Sequence, residues 1–410
     1  MRRVVYLACA CLACLWVLWG HPESLRAQGQ TLSAAEFIVA KEHGWQQEFE
    51  GYFENQFSDQ KMTAKQIQRT LRRMARRTGS RGTVLHLFTM GDEIKLLVTS
   101  LEGAPLLVTA PQVPKAVLSA TMNEFRRQVS DPRNQHVPRY LESSQQLYDW
   151  LIAPLEAKLR ADRIDTLLFC VGPGLRSLPW AALYDRHNDQ FLIEKYHISL
   201  IPGFNLINTS YPSLSNARVL GMGASEFTDF SPLPSVPEEL ATIEDLWGGT
   251  FFLNQPFTIE NLRQQRQQRS YPIVHLATHA VFRPGDASQS FIQLWGEETV
   301  NLKNLPTLNL GRPPVELLVL SACQTALGDQ DAELGFAGLA LQSGAKSALA
   351  SLWSVSDSGT LALMQAFYRH LQTAPTKADA LQQAQLDLLR GSDFKAPYFW
   401  SGFTLIGAPW

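Results

Sequence analysis

The pattern of apolar and polar positions changes character several times along the chain. Residues 4–19 form an almost uninterrupted apolar run behind Arg2 and Arg3. Residues 34–50 and 63–77 carry helical spacing. In the second of these Ile67, Leu71 and Met74 share one face, Thr63 with Gln66 makes a capping-box start, and Gly79 supplies a stop. From residue 83 the period shortens. Residues 83–90 and 93–100 flank a Gly91, Asp92 turn and read as a hairpin, with 105–110 as a third strand. Helical spacing returns over 115–129 and 141–160, and Pro154 should bend the second stretch.

Beyond residue 165 short apolar strands alternate with helices. The strands are expected at 166–171, 217–221, 273–278, 316–321 and 347–352, with helices starting at Ser235, at Thr258 and near Leu334. Two closing helices, 358–371 and 376–390, precede a final strand at 403–406. Such alternation predicts an α/β fold with a mainly parallel sheet covered on both sides. No unit of 30 to 40 residues recurs, so an intact helical repeat array is not expected.

Composition narrows the class. With 45% hydrophobic and 18% charged residues, the chain should fold as a packed globular protein. A net charge of -2 gives no reason to expect a nucleic-acid partner. One local exception is basic: Lys65, Arg69, Arg72, Arg73, Arg76 and Arg77 lie on the outer faces of the helix at 63–77. They suit an acidic partner or a membrane surface, or simply a solvated helix face. The apolar run at 4–19 reads as a targeting segment, which predicts a periplasmic or extracellular protein or one anchored by its N-terminus. It is long for a signal core and short for a spanning helix, so a cleaved signal peptide and an uncleaved anchor both stay open. Of five cysteines, Cys9, Cys11 and Cys14 fall inside that run. Cys170 and Cys323 alone belong to the folded body, and neither shows disulfide or metal spacing.

Several chemistries are excluded by what the motifs lack. There is no Gly-x-Ser-x-Gly elbow. Gly344, Ala345, Lys346, Ser347 precede a strand where a phosphate-binding loop precedes a helix, and Glu226 occupies the third glycine position of a dinucleotide fingerprint begun by Gly221 and Gly223. His275 and His279 share a strand, which separates them by roughly 13 Å, too far for one metal. What remains is a thiol and an imidazole. Cys323 follows one apolar strand and His279 closes the one before it in the expected sheet, so both fall at the carboxyl edge where open α/β sheets build sites. A cysteine and histidine in proton-transfer reach form an activated nucleophile. Cys170 also ends a strand, but has no histidine strand beside it in this reading.

The run from Val274 through His279, together with Leu320, Ser321, Ala322, Cys323, Gln324, Thr325 and Ala326, is similar to the paired signature of the CHAT domain family. These are caspase-like cysteine peptidases related to separases. The stretches 175–183, 344–357 and 398–410 agree, and the resemblance covers roughly 81–410. It implies a caspase-like sandwich over 81–410, with 81–162 as its N-terminal hairpin and helical part, a helical segment at 30–80 and the targeting segment at 1–29. The implied activity is hydrolysis of peptide bonds in a protein or peptide substrate, with no metal or organic cofactor. Cys323 would attack as thiolate, His279 would act as base and acid, and backbone N–H groups of Ala280 and Cys323 would hold the oxyanion. Two features depart from the family: Ala280 stands where glycine is usual, and the upstream helical repeats are missing. An exported interaction module without catalysis is therefore the alternative. Asp329, Asp331 and Glu333, expected on a loop beside the cleft, and Asp357 are candidates for binding a basic side chain, against a reading as a solvated acidic loop or, for Asp357, a helix cap.

Overall fold

The first helix among the described residues is the one that the spacing at 34–50 predicts, α1 (Ala34–Phe53). The computed structural model describes residues 32–91, 93–325 and 327–410, and of Thr109, Ala322 and Cys323 the backbone alone. The apolar run at 4–19, expected to be a targeting segment and holding Cys9, Cys11 and Cys14, and the turn residue Asp92 lie outside the described residues. Helix α2 (Ala64–Thr78) starts and stops as its sequence dictates. Thr63 accepts from the Gln66 N–H while the Gln66 side chain accepts from the Thr63 N–H at 2.7 Å, and Gly79 closes the helix at φ 77°. Strands β1 (Gly82–Met90), β2 (Glu93–Thr99) and β3 (Leu106–Thr109) form an antiparallel meander. Behind it come α3 (Lys115–Val129) and a second helical stretch that breaks at Pro154 into α4 (Leu141–Leu151) and α5 (Glu156–Ala161).

The alternating half follows. It begins with β4 (Thr166–Val171), a small hairpin of β5 (Tyr184–Asp185) and β6 (Gln190–Phe191), α6 (Leu192–Lys195), β7 (His197–Ile201) and β8 (Val219–Gly223). Next are α7 (Val236–Trp247), β9 (Gly249–Leu253), α8 (Ile259–Gln268), β10 (Ile273–Phe282), β11 (Phe291–Gln293) and β12 (Thr299–Asn301). The chain closes with β13 (Leu317–Thr325), α9 (Gln330–Ala337), α10 (Leu339–Ser343), β14 (Ser347–Ser351), α11 (Asp357–Leu371), α12 (Lys377–Arg390), α13 (Pro397–Trp400) and β15 (Phe403–Gly407).

Among the described residues all strands but β5 and β6, which pair only with each other, join in one sheet ordered β12-β11-β10-β13-β14-β15-β7-β4-β1-β2-β3, with β8 and then β9 along the first half of β10. Its centre is mainly parallel and helices flank it, as the alternation predicts. The strands at 197–201, 249–253, 291–293 and 299–301 escape the sequence reading; the last two are only three residues long, and β9 is half exposed. The two strands that matter most run longer than expected. The apolar runs stop near Thr278 and Ser321, but pairing continues to Phe282 against Thr325, so neighbours on the sheet rather than hydrophobicity define their ends. The Gly221 and Gly223 pair also finds its reason here. A Cβ on Gly223 would lie 2.8 Å from the Ala277 carbonyl oxygen, and one on Gly221 would meet the Phe251 ring, so these glycines let strands pack rather than cradle a pyrophosphate.

Behind the end of β13 lies a buried carboxylate. Glu333, fully buried on α9, accepts from the Gly174 N–H at 2.7 Å, the Ser177 hydroxyl at 2.5 Å and the Ser177 N–H at 3.3 Å. Arg126 of α3 reaches it at 3.3 Å and donates also to the Gly174 and Ser177 carbonyls. Burial pushes the guanidinium pKa down, and the Glu333 charge opposes that shift. Ser177 in turn accepts from the Gly328 N–H at 3.1 Å, so one network ties α3, the turn at 172–178 and the loop after β13. Glu333 is thus a structural anchor and not the exposed loop carboxylate expected from sequence. Removing it leaves a buried cation and several donors unpaired. Glu333→Ala should lower stability by about 3–5 kcal/mol, read by chemical denaturation; a loss under about 1 kcal/mol, the range of a surface pair, would refute the anchoring role.

Candidate active site

The parallel register of β10 and β13 brings the two signature strands side by side. His279 pairs with Ala322 and Ala280 with Cys323, just after an irregularity between Leu276 and His279. Neighbouring strands lie about 4.8 Å apart, so the Cys323 backbone is one strand over from the histidine. Both residues fall inside their strands rather than beyond them, which corrects the expected placement. The Cys323 side chain lies outside the described part of the structure.

His279 is half-buried, and its surroundings were not legible in the sequence. The segment between β8 and α7 folds back over it: the Phe230 ring stacks on the imidazole at 4.9 Å and 20°, and Phe227 meets it edge-on at 4.7 Å. Nε2 lies 2.9 Å from the Ser231 carbonyl oxygen. A carbonyl accepts only, so Nε2 carries the proton and Nδ1 is the basic nitrogen. The segment is held at both ends, by Leu233 N–H to the Ser225 carbonyl at 2.9 Å and by Ser235 N–H to the Asp357 carboxylate at 2.7 Å. Two phenylalanines in a stretch otherwise rich in Ser, Asp and Pro were the available signal.

Desolvation lowers the His279 pKa, with the Ser231 contact and the Asp357 charge pulling it back up. The imidazole is therefore neutral at neutral pH, the form a general base needs. Cys170 is fully buried, and burial first, then the Glu42 charge, raises its pKa well above the ordinary thiol value. Cys170 is thereby unsuited to act as a nucleophile. His275 is the core histidine expected, fully buried with Nδ1 at 3.0 Å from the Tyr368 hydroxyl and Nε2 at 2.8 Å from Glu239, though its partners come from helices rather than the sheet.

The remaining candidates separate. Ala280 pairs with Ile292 on one side and Cys323 on the other, and its φ is not positive, so alanine is unstrained there. Asp329 and Asp331 belong to a helix start rather than a loop. Asp329 is the N-cap of α9, accepting from the Asp331 and Ala332 N–H groups, and Asp331 accepts from the Gly285 N–H at 3.1 Å. Ser356, not Asp357, caps α11, which leaves Asp357 half-buried in the first turn and electrically coupled to His279. It is the acidic candidate that the fold brings toward the histidine.

The sequence profile of the CHAT domain matches residues 141–408. No curated protein sequence matches the chain. Among solved structures, the Saccharomyces cerevisiae separase–securin complex at 3.0 Å is similar with a TM-score of 0.53 and 10% identity, covering 84% of this chain and 31% of that one. A second separase–securin structure, at 2.6 Å, gives 0.50 and 11%, covering 85% and 32%. The chain thus spans about a third of the separase chains it matches. The Arg-specific cysteine proteinase gingipain R gives 0.41 and 11%, covering 70% and 74%.

The enclosure of His279 makes a direct prediction. Phe230→Ala removes one desolvating ring, so the imidazole pKa should rise toward the ordinary value of 6.5. Proton loss then moves to higher pH, and the window in which acid charges the ring, below 6.5 in the native protein, moves up with it. Titration of the histidine resonances by NMR reads this; an unmoved His279 would show that Phe230 does not govern its protonation.

Proposed function

Because the chain belongs to the CHAT domain family, whose caspase-like α/β architecture it has, we propose that it is a cysteine endopeptidase acting through Cys323 and His279. The observation that carries this reading is the β10/β13 register, which pairs Ala280 with Cys323 and leaves His279 with Nε2 tied to the Ser231 carbonyl. In the proposed reaction Nδ1 of His279 takes the Cys323 thiol proton and the thiolate attacks the peptide carbonyl carbon. The imidazolium, its Nε2–H held by Ser231, then protonates the leaving amine. Water, deprotonated by the same nitrogen, hydrolyses the thioester and restores the thiol. The Cys323 and Ala280 N–H groups are the proposed oxyanion donors. Asp357 is the proposed partner of a basic substrate side chain, with Asp329 and Asp331 further out; Glu333 is excluded by its burial.

The competing reading, a module that binds without cleaving, is favoured by the aromatic cover over His279. Export is proposed from the apolar run at 4–19. Among the described residues no helix is long and apolar enough to cross a membrane. Arg69, Arg72, Arg73, Arg76 and Arg77 are exposed on α2, and this basic face is the proposed contact for an acidic partner or anionic headgroups.

Cys323→Ala and His279→Ala should each abolish cleavage in an unbiased peptide library, while Cys170→Ala retains it to the extent that it folds. Selective labelling of Cys323 by an electrophilic thiol probe should vanish in His279→Ala. Equal turnover by wild type and Cys323→Ala would end the peptidase reading. At Ala280 there is no positive-φ strain to relieve, so Ala280→Gly should bring no gain in turnover and cost about 0.5–1 kcal/mol of stability. A rise in turnover would show that the working conformation at residue 280 is one alanine resists.

A further inference from the structure

The N-terminal helix reaches the sheet through a cluster that the proposed reaction does not use. His86 of β1 and Cys170 of β4 are register partners, so both side chains emerge on the same face, and Glu42 of α1 descends onto them. All three residues are fully buried, and their ligating atoms lie within 4.8 Å of one another. Glu42 Oε1 is 2.8 Å from His86 Nε2 and 3.9 Å from Cys170 Sγ, while Oε2 accepts from the Asn205 N–H at 3.0 Å. Trp45 stacks flat against the imidazole at 5.8 Å and 5°, fixing the ring.

We propose that Glu42, His86 and Cys170 bind a zinc-class divalent cation that fastens α1 to the sheet. A carboxylate, an imidazole and a thiolate form a donor set that suits such an ion. Charge supports it as well. Carboxylate and thiolate balance a divalent cation bound to a neutral imidazole. Bonds of about 2.0 Å to nitrogen and oxygen and about 2.3 Å to sulfur set ideal donor separations of roughly 3.3–3.6 Å. Bringing the 3.9 Å Glu42–Cys170 separation and the 2.8 Å Glu42–His86 contact to these values takes a few tenths of an ångström in each case. A fourth position is left for a water or the second Glu42 oxygen. The thiol proton leaves to solvent as the metal–sulfur bond forms, and no redox change occurs. The site is independent of the Cys323 and His279 assignment.

The full chain, stripped with a chelator and refilled with Co²⁺, tests this. The expected result is one equivalent bound, with a thiolate-to-cobalt charge-transfer band in the near ultraviolet that zinc displaces, that Cys170→Ala loses and that Cys323→Ala keeps. X-ray absorption at the zinc edge of the wild-type protein needs no variant and should show one sulfur with nitrogen and oxygen neighbours. Failure of folded wild type to bind either ion, a shell without sulfur, or a band that survives Cys170→Ala would overturn the proposal and leave a hydrogen-bonded trio only.

Discussion

The Glu333–Arg126 pair is the interaction on which the site's framework depends. Removing two charges from water is costly, and the cost is met only because each group is surrounded by partners: Glu333 by Gly174, Ser177 and Arg126, and Arg126 by the Gly174 and Ser177 carbonyls besides. Those partners come from segments far apart in sequence. The hydroxyl of Ser177 passes the constraint to Gly328, just beyond the strand that carries Cys323. The turn at 172–178 is therefore held as firmly as a strand, although it contains none.

The same turn is fastened from outside. Arg176, buried, pairs with Glu48 of α1 at 3.1 Å and lies over the Phe49 ring at 5.0 Å. Trp180 stacks on Phe169 of β4 at 4.1 Å. Helix α1 thus braces the framework of the fold through Glu48 at one turn and meets the sheet through Glu42 at another, which gives this N-terminal helix a structural part in a fold whose family match begins only at residue 141.

At the site the controlling term is desolvation. The imidazole of His279 faces two phenyl rings and one carbonyl, so its neutral form is favoured while its orientation is fixed by a backbone acceptor. Asp357 works against the first effect by its charge and supports the cover by accepting from Ser235. Base strength, orientation and access are therefore linked through the one segment between β8 and α7.

Much was legible from local pattern. Capping chemistry at Thr63 and Gly79 and the exact span of β4 depend on neighbours in sequence, and the mainly parallel sheet follows from alternation of apolar strands with helices. The neighbouring placement of the histidine strand and the cysteine strand was read from the order of the apolar strands. What sequence could not determine was decided by contacts between distant segments. Glu333 reads as one of three acidic residues on a loop until Arg126 and Ser177, more than 150 residues away, enclose it. Phe227 and Phe230 read as loop residues until the fold lays them on His279, and Glu42, His86 and Cys170 share no spacing until α1, β1 and β4 pack together. Periodicity and caps are written in adjacent residues, so the chain alone determines them; burial of a charge, cover of a base and convergence of ligands depend on which surfaces meet, and that only tertiary packing decides.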